Sequence, residues 1–357
     1  MAHRDEAHTS NRPVSRRLAL LGLGMAMGAG ALPAPAADAQ LPHRLSVALA
    51  ARSSLYHLPL SLAEHLGFLR QAGVSVQWVD TDGGAQAVQA QQNGQADVVA
   101  GAFEHVLQLH ARGVDQRAFV LMGRSPQLAL AAAMTALPDL RPPVNLQGKR
   151  IGISSLGSAT HQMATHWLLR QGLASQQVQW VEVGALPQAA LALREGRIDV
   201  LCNPDPQLHI LQQQGLVRML ADARSAEATL RWLGDNPPGA CLHASAALLQ
   251  RRPEAVQALT DAMVRTLRWL QTAGPVDLMR HVSVAQTQGD RALFLGAFDR
   301  LKDSYSPDGV FQPEQVFSAW RLQLRLPTVR PHRLALERTV APEWVARSRS
   351  RLLQFSI

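Results

Sequence analysis

Several short clusters of hydrogen-bonding side chains stand directly after apolar runs. Arg52-Ser53-Ser54-Leu55-Tyr56-His57 follows Arg44–Ala50 and offers hydroxyls, a phenol and an imidazole. Gly157-Ser158-Ala159-Thr160-His161 follows Arg150–Ser154 at the start of a helical pattern. Free backbone N–H groups and the positive end of a helix dipole favour an anion there, and Ser158 and Thr160 add donors. The same Ser158 also suits a helix N-cap. Asn203-Pro204-Asp205 follows Ile198–Cys202, and its acid suits a ligand with an amine more than a simple inorganic anion. Gly83 and Gly84 either let a ligand approach the backbone or simply make a turn. Phe103 either walls a cleft or belongs to a core, and Glu104 either touches a ligand or is a first-turn acid favoured by the helix dipole. Arg124 is a further, weaker partner for a carboxylate or sulfonate.

Covalent and metal chemistry find little support. Lysine occurs only at Lys149 and Lys302, which disfavours Schiff-base chemistry. The histidine pairs His105/His110 and His161/His166 are spaced by five, not the four that puts two ligands on one helix face. Gly152–Gly157 is one residue too long for a nucleophile elbow. Gly22–Gly28 imitates a dinucleotide loop but has the wrong spacing and follows no strand. Cys202 and Cys241 cannot build a zinc module; an oxidising compartment permits their pairing, and burial as small apolar residues is equally open. No catalytic residue, metal or cofactor is expected.

The elements that must hold these clusters alternate. Short apolar strands over 44–50, 74–79, 96–100 and 118–122 are separated by helical patterns over 60–69, 85–92 and 104–111. The pattern restarts with strands over 150–154, 178–183, 198–202 and 216–221 and helices over 159–170, 187–194 and 206–214. This is the signature of parallel βαβ units. Asn93-Gly94-Gln95-Ala96-Asp97-Val98-Val99 reappears as Glu195-Gly196-Arg197-Ile198-Asp199-Val200-Leu201, an internal repeat of about a hundred residues, far longer than a solenoid period. Beyond Cys241 the pattern is helical over 244–249, 253–272, 291–301 and 312–324.

The 357 residues are 47% hydrophobic and 17% charged, enough for a large core. The net charge of +8 is unevenly spread. Residues 321–357 carry eight Arg against two Glu, whereas 40–320 carry 23 basic against 22 acidic residues. A nearly neutral body argues against a nucleic-acid partner. The basic tail reads as a solvated or partly docked helical segment.

The first residues read as an address. Ser15-Arg16-Arg17 precedes an uncharged apolar run from Leu18 to about Leu32, and Ala37-Asp38-Ala39 is a small-x-small cleavage site. The paired arginines resemble a twin-arginine export signal, with Ala19 standing where a Phe is usual. The run is shorter than the roughly twenty residues that span a bilayer.

Taken in order, Leu58–Leu69 with Gly73–Val76, Gly94–Val98, Asn145–Gly152, Gly157–His161, Gly196–Asp199 and Arg252-Pro253-Glu254 resemble the periplasmic solute-binding proteins of ABC importers, in the nitrate/sulfonate/taurine group related to the thiamine-precursor-binding branch. The likeness spans about residues 43–275. It implies a type II periplasmic-binding-protein fold: two α/β lobes, each a mainly parallel sheet flanked by helices, joined by two crossing segments. The expected organisation is an export signal over 1–39, lobe 1 over 40–125 and 242–325, lobe 2 over 126–241, and a basic C-terminal segment over 326–357. The resemblance implies an exported monomer, cleaved near Ala39. It would capture a small anionic or zwitterionic solute in the interlobe cleft and deliver it to a permease in the inner membrane. The expected ligand contacts are Ser53, Ser54, Tyr56, His57, Gly83, Gly84, Phe103, Glu104, Gly157, Ser158, Ala159, Thr160, His161, Asn203 and Asp205. A synthase of the thiamine-pyrimidine type on the same fold is the enzymatic rival, but it would need a reactive lysine and a Cys-rich motif. An exported solute sensor is the other.

Overall fold

A computed structural model describes residues 41–137, 144–184, 186–326 and 334–354. The export signal expected over 1–39 lies outside them.

Ten strands form two five-stranded sheets. In the first, β1 (His43–Ala50) pairs in parallel with β2 (Val74–Thr81) and β3 (Val98–Ala102). The last strand, β10 (Ala240–Ser245), then inserts antiparallel between β3 and β4 (Gln116–Leu121), giving the order β2-β1-β3-β10-β4. The second sheet repeats this plan. There β6 (Arg150–Ile153) pairs in parallel with β7 (Gln179–Glu182) and β8 (Val200–Pro204). β5 (Leu128–Ala133) runs antiparallel between β8 and β9 (Val217–Ala223), giving β7-β6-β8-β5-β9. Each sheet therefore has four strands in one direction and one reversed. The reversed strands, β5 and β10, follow the two crossings of the chain between sheets.

The repeated Gly-x-x-Asp motif supplies an equivalent register clamp in each sheet. Gly94 and Gly196 turn the chain at φ 75° and 66°. Asp97 then accepts the Ser46 backbone N–H at 2.9 Å, and Asp199 accepts that of Arg150 at 2.8 Å. A carboxylate thus pins strand one to strand three in both halves.

Alternation divides the apolar residues between sheet faces. Leu45, Val47 and Leu49 pack with Val256, Leu259 and Met263 of the helix Pro253–Thr272. Ala48 and Val99 face Ala87 and Ala90 on the other side. In the second sheet Leu128 and Leu130 meet Met163 and Trp167, while Ala129 and Ala131 meet Leu193 and Leu208.

Several boundaries differ from the pattern reading. The helix expected over 60–69 is two helices, Leu58–His65 and Phe68–Gln71, broken at Gly67 with φ 72°. Ala244 belongs to β10, and the next helix starts at Ala246. The helix Ala226–Leu233 was not anticipated. The basic end docks in part: in the helix Glu343–Gln354, Trp344 and Val345 join the first core. Arginines on either side of them pair with body acids, Arg338 with Asp115 and Arg351 with Asp261. Both cysteines are buried and unpaired, Cys202 in β8 of one sheet and Cys241 in β10 of the other. Among the described residues no helix is long and apolar enough to cross a membrane.

Candidate solute-binding cleft

The loops that follow β1, β2 and β3 face those that follow β6, β7 and β8. All leave the carboxyl ends of parallel strands, where open α/β sheets bind ligands. Two backbone crossings join the halves, and Gly239 N–H donates to Gly123 O at 2.8 Å between them. A Cβ on Gly239 would stand 2.0 Å from Ser125 O, so only glycine fits this crossing.

A third tie passes over the cleft. Leu55 N–H donates to Asp205 O at 2.9 Å, and Tyr305 Oη donates to Leu55 O at 2.7 Å. Ser304 Oγ donates to Arg224 O, and Arg224 pairs with Asp205 at 3.3 Å and Asp222 at 2.7 Å. Removing one such neutral hydrogen bond costs about 1 kcal/mol. Tyr305→Phe is therefore expected to lower the melting temperature by about 2–4 °C. A thermal melt of the variant checks this, and an unchanged midpoint refutes the tie.

Three spaces open between the halves. The largest is an outer groove of about 920 Å³. Its walls carry Glu64, Asp80, Asp82 and Glu182 against Arg52, Arg197 and His65. Behind it lies an inner chamber of about 50 Å³, lined by Ser54, Tyr56, His57, Gly84, Gly101 and His105 from one half and Leu128, Ser154, Ser158, Ala159, Thr160 and Pro204 from the other. A hinge-side chamber, also about 50 Å³, shares the walls Leu128 and Ala159 with it.

The outer groove is larger, but three buried polar residues, Ser54, His57 and His105, line the inner chamber. Ser54 Oγ, His57 Nδ1 and the His105 ring nitrogens are buried and make no hydrogen bond of good geometry; the His57 ring lies beside the Ala50 and Ala51 backbone and the His105 ring beside that of Gly157. Buried polar groups are normally satisfied, so an orphaned cluster marks a place for a ligand or water. His57 Nε2 faces Ala100 O at 3.2 Å, and a carbonyl only accepts, so Nε2 carries the proton. That assignment makes Nδ1 the acceptor of the ring. Burial pushes the pKa of His57 and of His105 down to about 4, so both are neutral near pH 7. Burial, reinforced by the nearby Glu104, raises Tyr56 and keeps it a phenol.

The fifteen expected contacts divide. Ser54, Tyr56, His57, Gly84, Ser158, Ala159 and Thr160 line the inner chamber, Ser53 lines the outer groove, and Glu104 lines the hinge chamber. The Ser158 and Thr160 hydroxyls are already engaged: Ser158 Oγ donates to Ser155 O at 2.7 Å and accepts His161 N–H, and Thr160 Oγ1 accepts Ser154 N–H at 2.9 Å. Ser158 is thus an N-cap, and the ligand-facing potential of this turn lies in its backbone. Phe103 packs on Phe311 in the core. His161 accepts Gly157 N–H at Nδ1 and sits edge-on to Trp180. Asp205 is fully buried, capping the next helix at His209 N–H and pairing with Arg224. Asn203 is fully buried with an unpaired amide but lines none of the three spaces, and Gly83 and Gly157 stand at loop contacts outside them. Arg124 donates to Asp303 O, away from the cleft.

His105 is the residue that pattern reading missed. It follows the β3 loop by two helical positions, and its ring fills the space over Gly84, where an added Cβ would lie 3.0 Å from Cε1. Among the described residues no cluster of three His, Cys, Asp or Glu could hold a metal ion.

Two α/β lobes with reversed crossing strands, meeting over a buried chamber, define the periplasmic binding protein fold. The chain belongs to the NMT1/THI5 like family, whose model matches residues 54–273. A protein of Bordetella bronchiseptica RB50 is 33% identical, with TM-score 0.84 over 87% of this chain and 98% of that one. The alkanesulfonate-binding protein SsuA from Xanthomonas axonopodis pv. citri, bound to MOPS, has TM-score 0.64 at 19% identity over 84% of this chain and 99% of its own. The periplasmic nitrate-binding protein NrtA from Synechocystis PCC 6803 has TM-score 0.61 at 12% identity over 87% and 89%. These two share the fold. No curated protein sequence matches the chain.

Proposed function

We propose that this protein is the exported, monomeric substrate-binding component of an ABC importer. It captures a small zwitterionic or anionic organic solute between its lobes by hinge closure and delivers it to the permease. The observation that carries the reading is the inner chamber, walled by strand-end loops of both sheets and lined on one side by the buried polar residues Ser54, His57 and His105. A solute there would satisfy them and exclude water. Sulfonate- and nitrate-binding proteins of the same fold support the solute size. An enzymatic role on this fold is disfavoured. Neither Lys149 nor Lys302 lines a chamber, and Lys302 is paired with Asp299 at 2.8 Å.

The test is a thermal-shift screen of the purified protein against sulfonates, taurine, nitrate, carboxylates, amino acids and pyrimidines. A solute at a hundred times its Kd adds about 2.7 kcal/mol of stability. A saturable shift by one class, with the solute recovered unchanged, is the expected result. Consumption of the solute would make the protein an enzyme. A flat response in every class would remove the transport reading.

A further inference from the structure

The hinge-side chamber has a different character from the inner one. Met163, Trp232, Leu233, Pro237, Pro238 and Leu322 give it large apolar walls. The prolines belong to one of the crossings, so whatever fills this space touches the hinge itself. Of its polar groups, Gln323 donates to Gln162 at 2.7 Å, and burial holds His166 neutral with a pKa of about 4. That leaves Glu104 as the one acidic side chain on this wall. Leu128 and Ala159 wall both chambers, so the spaces adjoin. Glu104 is the chain neighbour of His105, which lines the inner chamber.

The charge inventory is one-sided. No Lys or Arg lines either chamber. Arg112 and Arg325 lie within electrostatic reach of His105 and His166 but are not part of the walls. The outer groove carries four acids against two arginines and a histidine. A fully anionic head would pass an acidic mouth and then meet Glu104 without a cationic partner, and burying an uncompensated charge is costly. With the His57 proton on Nε2 toward Ala100 O, Nδ1 can accept an N–H or O–H from a ligand.

We propose that the two chambers form one site for an organic amine with a short apolar limb. The ammonium sits at Glu104 and donates to the acceptors of the inner chamber, and the limb fills the hinge chamber between Met163, Trp232 and the prolines. This rests on the reading of the cleft as a solute site and narrows it to the amine-bearing end of the zwitterionic class.

The test uses matched skeletons on the purified full chain by isothermal titration: ethylamine, ethanol and ethanesulfonate, then 3-methylbutylamine, 3-methylbutanol and 3-methylbutane-1-sulfonate. The amine should bind more tightly than the alcohol or sulfonate of its skeleton. Lengthening its limb should tighten binding about fourfold per carbon, the worth of a buried methylene. Glu104→Gln should weaken the amines at least about tenfold and spare the alcohols. Because the wild-type series carries the comparison, a poorly folding variant leaves the proposal exposed to refutation. Sulfonates binding more tightly than amines would overturn the head-group assignment, and limb-independent amine affinity would overturn the hinge chamber. Silence from both series at millimolar concentration would overturn the whole proposal. A hit in the broader solute screen alongside that silence would leave the transport function standing.

Discussion

Gly83→Val is expected to cost at least about a hundredfold in solute affinity while leaving the melting temperature close to that of the parent. Gly83 has an extended backbone at φ −152°, which any residue adopts, so its conformation does not call for glycine. Its surroundings do. A Cβ there would lie 2.1 Å from Ser155 Oγ and 2.6 Å from Ser155 Cβ, with the Ser154 carbonyl carbon at 3.2 Å. The Oγ can rotate aside; the Cβ moves only with its backbone. Gly83 belongs to the first half and Ser155 to the second, and no core residue is touched, so the clash acts on the approach of the lobes and spares each lobe's packing. Apparent affinity falls in proportion to the fraction of molecules still able to close, so trapping about 99% of them open costs the predicted factor. Titration of the solute identified by screening measures the affinity. Small-angle scattering supplies a ligand-independent readout, a larger radius of gyration. Ser155→Gly in the same chain should restore part of the closure, because it removes the atoms the new side chain strikes. Unchanged scattering and affinity in Gly83→Val would mean that these loops do not meet in the binding-competent form.

This loop contact was not visible in the sequence, although both loops were. Position along the chain identifies the strand ends, and from them the loops at 51–57, 82–84, 103–105 and 154–161 follow. The direction of each side chain does not. Phe103, Glu104 and His105 occupy successive helical positions about 100° apart, so one enters the core, one the hinge chamber and one the inner chamber. Only the angle at which the helix leaves β3 decides which. Asp205 misled for a related reason. An acid after a strand suits a ligand, but here Arg224, nineteen residues on, is folded back to meet it in the interior.

The fold was legible where polar residues mark a period and obscure where they do not. The helices Pro253–Thr272 and Arg291–Leu301 have amphipathic spacing and clear starts, and both match their expected bounds. β5 reads Leu-Ala-Leu-Ala-Ala-Ala and every residue of it is buried. A continuous apolar run has no alternation to read, and alanine favours a helix as readily. β10 is almost as fully buried, because it too is the reversed strand inside its sheet. The two strands most diagnostic of the topology were therefore the two least visible by pattern, and only family resemblance anticipated crossing segments there. The Gly-x-x-Asp repeat, by contrast, was readable and proved structural: its acids clamp strands and touch no chamber.

Acid is expected to destabilise this protein steeply between about pH 6.5 and 4. Four imidazoles with the largest shifts set the window, and His161 and His209, also lowered by burial, act in the same direction. Burial lowers His57, His105 and His166 to about 4, and lowers His243 to about 3 with a further push from His105. In the unfolded chain each takes up a proton near pH 6.5. Between the two values the unfolded state holds more protons, so stability falls as pH falls, and the contribution is complete only above the unfolded value. A shift of this size is worth about 3 kcal/mol per imidazole as an upper figure. Glu104 works the other way. Burial raises it to about 7, so the folded state holds its proton more tightly than the unfolded state over nearly the same range, offsetting about one imidazole. Asp205, also raised by burial, adds to the offset. The balance of four imidazoles against these two acids is still a loss of several kcal/mol, a large part of the 5–15 kcal/mol that holds a typical domain together. Asp115, Asp199 and Asp222 have lowered values, and their contribution starts to fall as pH drops into the ordinary carboxylate range, so they add to the loss only at the acid edge of the window. Thermal melts at closely spaced pH values should show a midpoint that is level above pH 7 and drops progressively toward pH 4.5. His166→Gln, which removes an imidazole outside the inner chamber, should flatten the slope by roughly a quarter of its imidazole part. A midpoint that stays level down to pH 4.5 would mean that these rings are reached by water, and with it the closed, dry chamber around His57 and His105 would fall.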